Sequence, residues 1–253
     1  MPDHSPALAF ECVTKRFGAT TAVDAVSLDI AGGSFVALVG TSGSGKSTLL
    51  KTINRLIEPS DGRVAIDGTD VATGPASDLR RRIGYVFQNI GLFPHMTIAE
   101  NIAIGLRIAG RAQDARIDDL LDLVDLPRAI AGRLPDALSG GQRQRVGIAR
   151  ALAPGAKLLL LDEAFGALDP VTRDALGTRI RDLHDRLGLT TILVTHDMAE
   201  ALLLADRVLV MKAGRIVADA TPADLVAGKG GDDAQALVQV PRAQAERLQA
   251  LVA

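Results

Sequence analysis

Eight consecutive residues, Gly40-Thr41-Ser42-Gly43-Ser44-Gly45-Lys46-Ser47, have the spacing G-x-x-x-x-G-K-[ST] that suits a chain of phosphates. The glycines let backbone N–H groups turn inward around phosphate oxygens, and a helix starting at Lys46 aims its positive end at the same anion. Lys46 adds a full charge at the β- and γ-phosphates, and the Ser47 hydroxyl is a ligand for Mg²⁺. Gly40, Ser42, Gly43, Ser44, Gly45, Lys46, Ser47 and Thr48 are therefore the expected contacts of a nucleotide. The loop alone implies only that a nucleoside triphosphate binds, because kinases, GTPases and motor ATPases share it.

The elements around this loop have a readable order. Phe10–Val13, Ala22–Ile30 and Phe35–Val39 read as strands, the third a continuous apolar run, and Lys46–Leu56 reads as a helix. Gly62–Gly68 and Ile83–Gln88 read as two more strands, so the first third is β-rich. From Thr97 the period becomes helical: Thr97-Ile98-Ala99-Glu100 is a capping-box pattern, and Asp114–Leu126 repeats apolar residues on one face. After Ala156 the order is strand Leu158–Leu161, helix Pro170–Leu187, strand Thr191–Thr195, helix Met198–Ala205, and strands Arg207–Met211 and Ile216–Asp219. Asp169 before Pro170 predicts an N-cap with proline at the first helical position. Strand and helix alternating at this spacing predict a parallel sheet covered by helices. Polar, Gly-rich Lys229–Asp233 reads as a linker into a short helix, Pro241–Ala253.

Bulk composition narrows the partners. The 253 residues are 47% hydrophobic, enough for a sizeable core, and the net charge of −2 supplies no field to recruit nucleic acid. The single cysteine, Cys12, reads as a small apolar filler of a strand. Met1–Pro6 carries Asp and His and is followed by no apolar core, so a secretion signal is not expected. Apolar stretches fall far short of the roughly 20 residues that span a bilayer. Any pore this chain serves therefore belongs to other chains.

Leu138-Ser139-Gly140-Gly141-Gln142 with the following Arg143–Leu152 resembles the signature motif of ABC-type ATPases and the helix behind it. Physically it is a second anion site, since Ser139 and the glycine N–H groups lie at a helix N-terminus and can reach a γ-phosphate. Leu158–Leu161 with Asp162-Glu163 resembles the family's Walker B strand. That resemblance implies that Asp162 holds Mg²⁺ and that Glu163 polarises the attacking water, a general-base role worth about 10²–10⁴ in rate. Gln88 stands where the family has its Q-loop and is expected to be a catalytic and metal contact linked to the membrane partner. Ala167-Leu168-Asp169 resembles the D-loop, His196 the switch histidine at the γ-phosphate, and Phe17 the aromatic that stacks on adenine. Gly166 departs from the serine common in D-loops, and Thr41 from a common proline.

The resemblance covers roughly residues 7–227. It implies an α/β fold, a P-loop NTPase core of the ABC ATPase type with an antiparallel β subdomain and an inserted α-helical subdomain. The ATPase domain is expected over residues 7–228, the inserted subdomain over about 91–156, and a linker and short helix over 229–253. ATP and Mg²⁺ are the implied cofactors. Each ATP is expected between the phosphate loop of one subunit and Ser139–Gln142 of another in a head-to-tail homodimer, or a pair with a closely related subunit.

Two more particular stretches, Ile53–Pro59 with Gly62 and Gly84–Gln88 running on through Ile90–Ile102, resemble the ATPases of bacterial osmoprotectant importers. The implied cargo is glycine betaine, choline, proline or a related solute, the alternative being another polar solute such as an amino acid; a non-transport ABC ATPase is the remaining class. The implied partners are transmembrane permease subunits and a periplasmic or extracellular solute-binding protein, with no nucleic acid. The implied location is peripheral, on the cytoplasmic face of the inner membrane. Phe93, Pro94 and Met96 are apolar residues on which a permease helix can dock, the alternative being that they pack inside the helical subdomain. Longer members carry tandem CBS domains, and the chain ends at Ala253 without room for them, so CBS-based gating by this subunit is not expected.

Overall fold

The computed structural model describes residues 7–87, 90–108, 110–111, 116–166 and 168–251. Two expected features, Gln88 and Ala167 of the D-loop, lie outside the described residues, as does the expected start of the Asp114 helix.

Strands β1 (Leu8–Phe17), β2 (Thr20–Ile30), β4 (Asp61–Ile66) and β5 (Thr69–Asp70) form an antiparallel sheet in the order β2-β1-β4-β5. The second sheet contains β3 (Phe35–Val39), β6 (Ile83–Val86), β7 (Leu158–Asp162), β8 (Thr190–Thr195), β9 (Arg207–Lys212) and β10 (Arg215–Ala220). Its order is β10-β9-β3-β8-β7-β6, parallel throughout except for β10 at one edge. All of β3 and β7 is buried, as expected of parallel strands covered on both faces.

Period-two alternation divides the core. Phe35, Ala37, Val39, Leu159, Leu161 and Leu193 point toward one apolar cluster. Val36, Leu38, Leu158, Leu160, Ile192 and Val194 point toward the other. In the second cluster Leu49, Leu50 and Ile53 of α1 (Lys46–Ile53) pack between the two sheets. The first cluster takes in α3 (Ile98–Ile108), α4 (Ile117–Leu123), α5 (Gly140–Leu152), α6 (Pro170–Leu187) and α7 (Met198–Leu204). A short α2 (Ala76–Arg80) precedes β6, and α8 (Pro222–Val226) follows β10.

Among the described residues between β6 and β7 the elements are α3, α4, α5 and 3-10 turns at Arg128–Ile130 and Pro135–Ala137. The capping box at Thr97 forms as read: Glu100 Oε2 accepts from the Thr97 N–H at 2.8 Å, and Thr97 Oγ1 accepts from the Glu100 N–H at 3.2 Å. Asn101, fully buried in α3, accepts from the Phe93 N–H at 2.7 Å and donates to the carbonyls of Phe93, Met96 and Thr97. This one amide fixes the turn at 93–97. Phe93 and Pro94 are left exposed on that turn, as a docking role requires.

The C-terminal reading needs correction. A single helix, α9 (Gly231–Gln249), replaces the expected linker at 229–233 and helix start at Pro241. Ala234 and Val238, four apart, are buried against the core and hold the helix through Pro241, whose missing N–H costs one ladder bond. Tertiary burial outweighs the local proline signal. Cys12 is likewise exposed rather than packed inside. It has left-handed backbone (φ 49) at an irregularity in the β1 pairing, which turns the side chain away from the core.

Replacing Asn101 by alanine removes the hydrogen bonds of its amide with the Phe93 N–H and with the carbonyls of Phe93, Met96 and Thr97. The expected cost is about 2–3 kcal/mol in a denaturant melt. A loss below about 0.5 kcal/mol would mean that the amide does not hold the turn.

Candidate functional site

Parallel register puts the ends of four strands at one edge. Val39 pairs with Thr195, Asp162 with Val194, and Val86 with Leu161. The phosphate loop, the acidic pair, His196 and Phe87 therefore leave the sheet together, in the crevice where open α/β sheets bind ligands.

Gly45 makes the entry to α1 possible. Its φ is 105°, and a Cβ there would lie 2.1 Å from the Ala22 carbonyl oxygen of β2, so no other residue fits without backbone movement. The loop curls around Lys46, whose Nζ donates to the carbonyls of Gly40 at 2.8 Å and Thr41 at 2.9 Å. Burial pulls the Lys46 ammonium below its usual range, and the carboxylates of Glu163 and Asp162 push it back up. Thr41, Ser42 and Gly43 are exposed at the rim, while Ser44 and Lys46 are buried beneath it.

Ser47 Oγ donates to Asp162 Oδ1 at 2.6 Å, joining α1 to the end of β7. The other oxygen, Oδ2, accepts from the Tyr85 hydroxyl at 2.8 Å and lies 3.1 Å from Lys51 Nζ. Asp162 is thus oriented by three side chains from two elements, α1 and β6. Tyr85 and Lys51 carry no motif signal; period two on β6 and the i, i+4 spacing of Ser47 and Lys51 on α1 are the only hints of their placement. Burial first, then the Asp162 charge and hydrogen bond, raise the Tyr85 phenol so that it stays a donor.

This donor set suits Mg²⁺. A hydroxyl and a carboxylate oxygen meet at one point, and among the described residues no three His, Cys, Asp or Glu side chains form a closed cage. Mg²⁺ is characteristically held by one or two such groups, with phosphate oxygens and water completing the shell.

Glu163 has left-handed backbone (φ 48), uncommon for a residue with a side chain, and its N–H donates to the Val194 carbonyl at 3.0 Å. Such backbone costs about 1–3 kcal/mol and is held in place by its surroundings. Glu163 Oε2 lies 4.0 Å from His196 Nδ1, with the imidazole mostly exposed. Base candidate and histidine therefore face the same opening.

The Ser139 motif stands apart from this cluster. Ser139 caps α5, its Oγ accepting from the Gln142 N–H while Gln142 Oε1 accepts from the Ser139 N–H. Gly140 is open to solvent, but a Cβ on Gly141 would meet Thr172 Cγ2 of α6 at 2.4 Å. Gly141 thus also lets two helices cross, a role the motif did not announce. Asp169 caps α6 as read, accepting from the Thr172 N–H at 3.0 Å. Among the described residues no hydrogen bond or ion pair links Ser139–Gln142 to Lys46, Ser47 or Asp162. Phe17 ends β1 half exposed, with Lys15 Nζ 5.1 Å from its ring centroid.

Beside the Gln88 position a groove is lined by Leu56, Tyr85, Phe87, Ile104, Arg150 and Pro154. The rings of Tyr85 and Phe87 stack obliquely at 4.5 Å. Arg150 of α5 donates to the carbonyls of Ile90 and Gly91, tying the segment beyond Gln88 to the helical part. The expected docking residues Phe93, Pro94 and Met96 omit this groove, whose walls come from both sides of the fold.

A phosphate loop at the end of a buried parallel strand, an acid paired with its serine, and a glutamate and histidine at the next two strand ends define an ATP-binding cassette. Residues 23–166 match the family model described as ABC transporter, and the chain belongs to that family. The glycine betaine/carnitine/choline transport ATP-binding protein OpuCA of Bacillus subtilis is 48% identical over 223 residues, covering 87% of this chain and 59% of OpuCA. The sulfate/thiosulfate import ATP-binding protein CysA of Caulobacter vibrioides is 50% identical over 222 residues, covering 85% of this chain and 65% of CysA. The chain therefore spans less than two thirds of the length of either relative. The dimeric, ADP- and Pi-bound post-hydrolysis state of the cassette MJ0796 superposes with a TM-score of 0.75 at 33% identity, covering 85% of this chain and 98% of that one.

Lys46→Ala removes the charge that the loop encloses. It is expected to weaken ATP binding at least tenfold, about 1.4 kcal/mol, in equilibrium titration. Unchanged affinity would remove Lys46 from the phosphate contacts.

Proposed function

We propose that this chain is the ATP-hydrolysing subunit of an ABC importer and works as a head-to-tail pair. The observation that carries the reading is the meeting of Lys46, Ser47, Asp162, Glu163 and His196 at one sheet edge, with no hydrogen bond or ion pair to Ser139–Gln142 among the described residues. Lys46 and the loop N–H groups hold the phosphates. Ser47 and Asp162 hold Mg²⁺, which supplies charge neutralisation at the phosphates. Glu163 accepts the proton of the attacking water, and His196 contacts the γ-phosphate. Gln88, Phe17 and Asp169 take the Q-loop, adenine and subunit-contact roles.

A helix N-terminus exposed at Ser139 and Gly140 suits the γ-phosphate of an ATP held by a second copy. ATP then closes the pair, and loss of the γ-phosphate releases it. Among the described residues no helix is long and apolar enough to cross a membrane. In this reading the permease is a separate chain whose helix docks in the groove at Tyr85, Phe87 and Ile104, from the cytoplasmic side. A solute-binding protein completes the importer.

For cargo, the reading is an osmoprotectant such as glycine betaine or choline, supported by Ile53–Pro59, Gly84–Ile102 and the likeness to OpuCA. The comparable likeness to CysA makes sulfate the informative control. In vesicles carrying the chain with its permease and binding protein, betaine or choline is expected to stimulate ATP turnover. Stimulation by sulfate alone would overturn the cargo assignment and leave the ATPase assignment standing.

Glu163→Gln keeps the phosphate cradle and removes the base. The expected result is a fall in turnover of about 10²–10⁴-fold, with ATP binding retained and a dimer accumulating in size-exclusion chromatography. Near-normal turnover would take the base role from Glu163.

A further inference from the structure

Close to His196 lies a cluster of charge that the phosphate chemistry does not use. Arg173, in the first turn of α6, donates from Nη2 to the Leu168 carbonyl at 3.2 Å, next to Asp169. Its Nη1 lies 3.6 Å from Asp197 Oδ2 and its Nε 3.6 Å from Glu200 Oε1. Glu200 Oε2 accepts from Thr195 Oγ1 at 2.6 Å, and Thr195 Oγ1 accepts from the Asp197 N–H at 3.0 Å. One guanidinium thus joins the loop before Asp169 to Asp197 directly and to Thr195 through Glu200.

This connection is incomplete in a specific way. A separation of 3.6 Å is an ion pair but longer than the ~2.7–2.9 Å of a charge-assisted hydrogen bond. Arg173 Nε is buried and has no acceptor among the described residues. The space between Arg173, Glu200, Thr195, His196 and Glu163 is a cavity of about 10 Å³, no more than one water can fill. Burial holds the Glu200 carboxyl above its usual range, opposed by the Thr195 hydrogen bond and by the charge of Arg173. A shift of about 0.7 Å between α6 and α7 brings Nε to hydrogen-bonding distance of Glu200.

We propose that Arg173 is a positioning residue: it locks onto Glu200 when the pair closes on ATP, so that the subunit contact at Asp169 sets His196 beside Glu163. The proposal rests on the head-to-tail reading above. Its failure is distinguishable from that reading's failure, because wild-type turnover and ATP-dependent dimer formation are measured alongside.

The test compares Arg173→Met, Arg173→Lys, Glu200→Gln and the Met/Gln double variant in kcat, ATP affinity and melting temperature. Arg173→Met and Glu200→Gln are each expected to lower kcat about tenfold or more, with ATP affinity within about threefold of wild type. The double variant is expected to be no slower than the worse single one. Arg173→Lys is expected to recover part of kcat, since its single ammonium reaches a carboxylate but not the Leu168 carbonyl as well. The proposal is overturned by an Arg173→Met kcat within twofold of wild type, by losses that multiply in the double variant, or by affinity falling in step with kcat. If Arg173→Met does not fold, Arg173→Lys carries the test: reduced kcat at unchanged affinity supports the lock, and wild-type kcat overturns it.

Discussion

Everything at the site depends on the in-register parallel pairing of β3, β8 and β7. A slip of one residue in any of these strands would turn its side chains to the opposite face and displace its terminal loop along the sheet. With Val39 opposite Thr195 and Val194 opposite Asp162, three loops remote in sequence begin at one level. The two-sided core enforces that register, since Val36 and Leu38 pack toward α1 while Ala37 and Val39 pack toward the helices beyond. Packing a strand from both sides costs freedom everywhere along it; the gain is a set of reacting groups whose relative height is not negotiable.

Charge is balanced at the same edge. Lys46 and Lys51 stand among Asp162 and Glu163, Lys46 donating to the carbonyls of Gly40 and Thr41 and Lys51 lying against one carboxylate oxygen of Asp162. In the proposed reading, a nucleotide entering the site replaces internal contacts of Lys46 with phosphate contacts, so binding and local rearrangement are the same event. Among the described residues the Ser139 helix start makes no hydrogen bond or ion pair to this cluster, and in the proposed reading a second subunit brings the two together.

Local chemistry was legible in the sequence wherever one short segment contains both donor and acceptor. The Thr97 capping box, the Asp169 cap with Pro170, the buried run Phe35–Val39 and the phosphate loop all stand where their patterns place them. What was not legible depends on distant partners. Tyr85 and Lys51 orient Asp162 from β6 and α1, and no pattern at residue 85 or 51 points to residue 162. Gly141 was read only for its N–H group, although its contact with Thr172 needs the helix crossing to be known. Pro241 looked like a helix start because the burial of Ala234 and Val238, which carries α9 past it, is set by the core and not by the segment.

The claim that two chains build each site is tested most directly by mixing Lys46→Ala subunits with Ser139→Ala subunits and measuring ATP turnover of the mixed pairs. If the phosphate loop of one chain works with the Ser139 helix of the other, the mixed pair carries one doubly damaged site and one intact site. The account predicts turnover well above that of either variant alone. Turnover no higher than the two variants measured separately would mean that both elements serve the same ATP from one chain, and would contradict it.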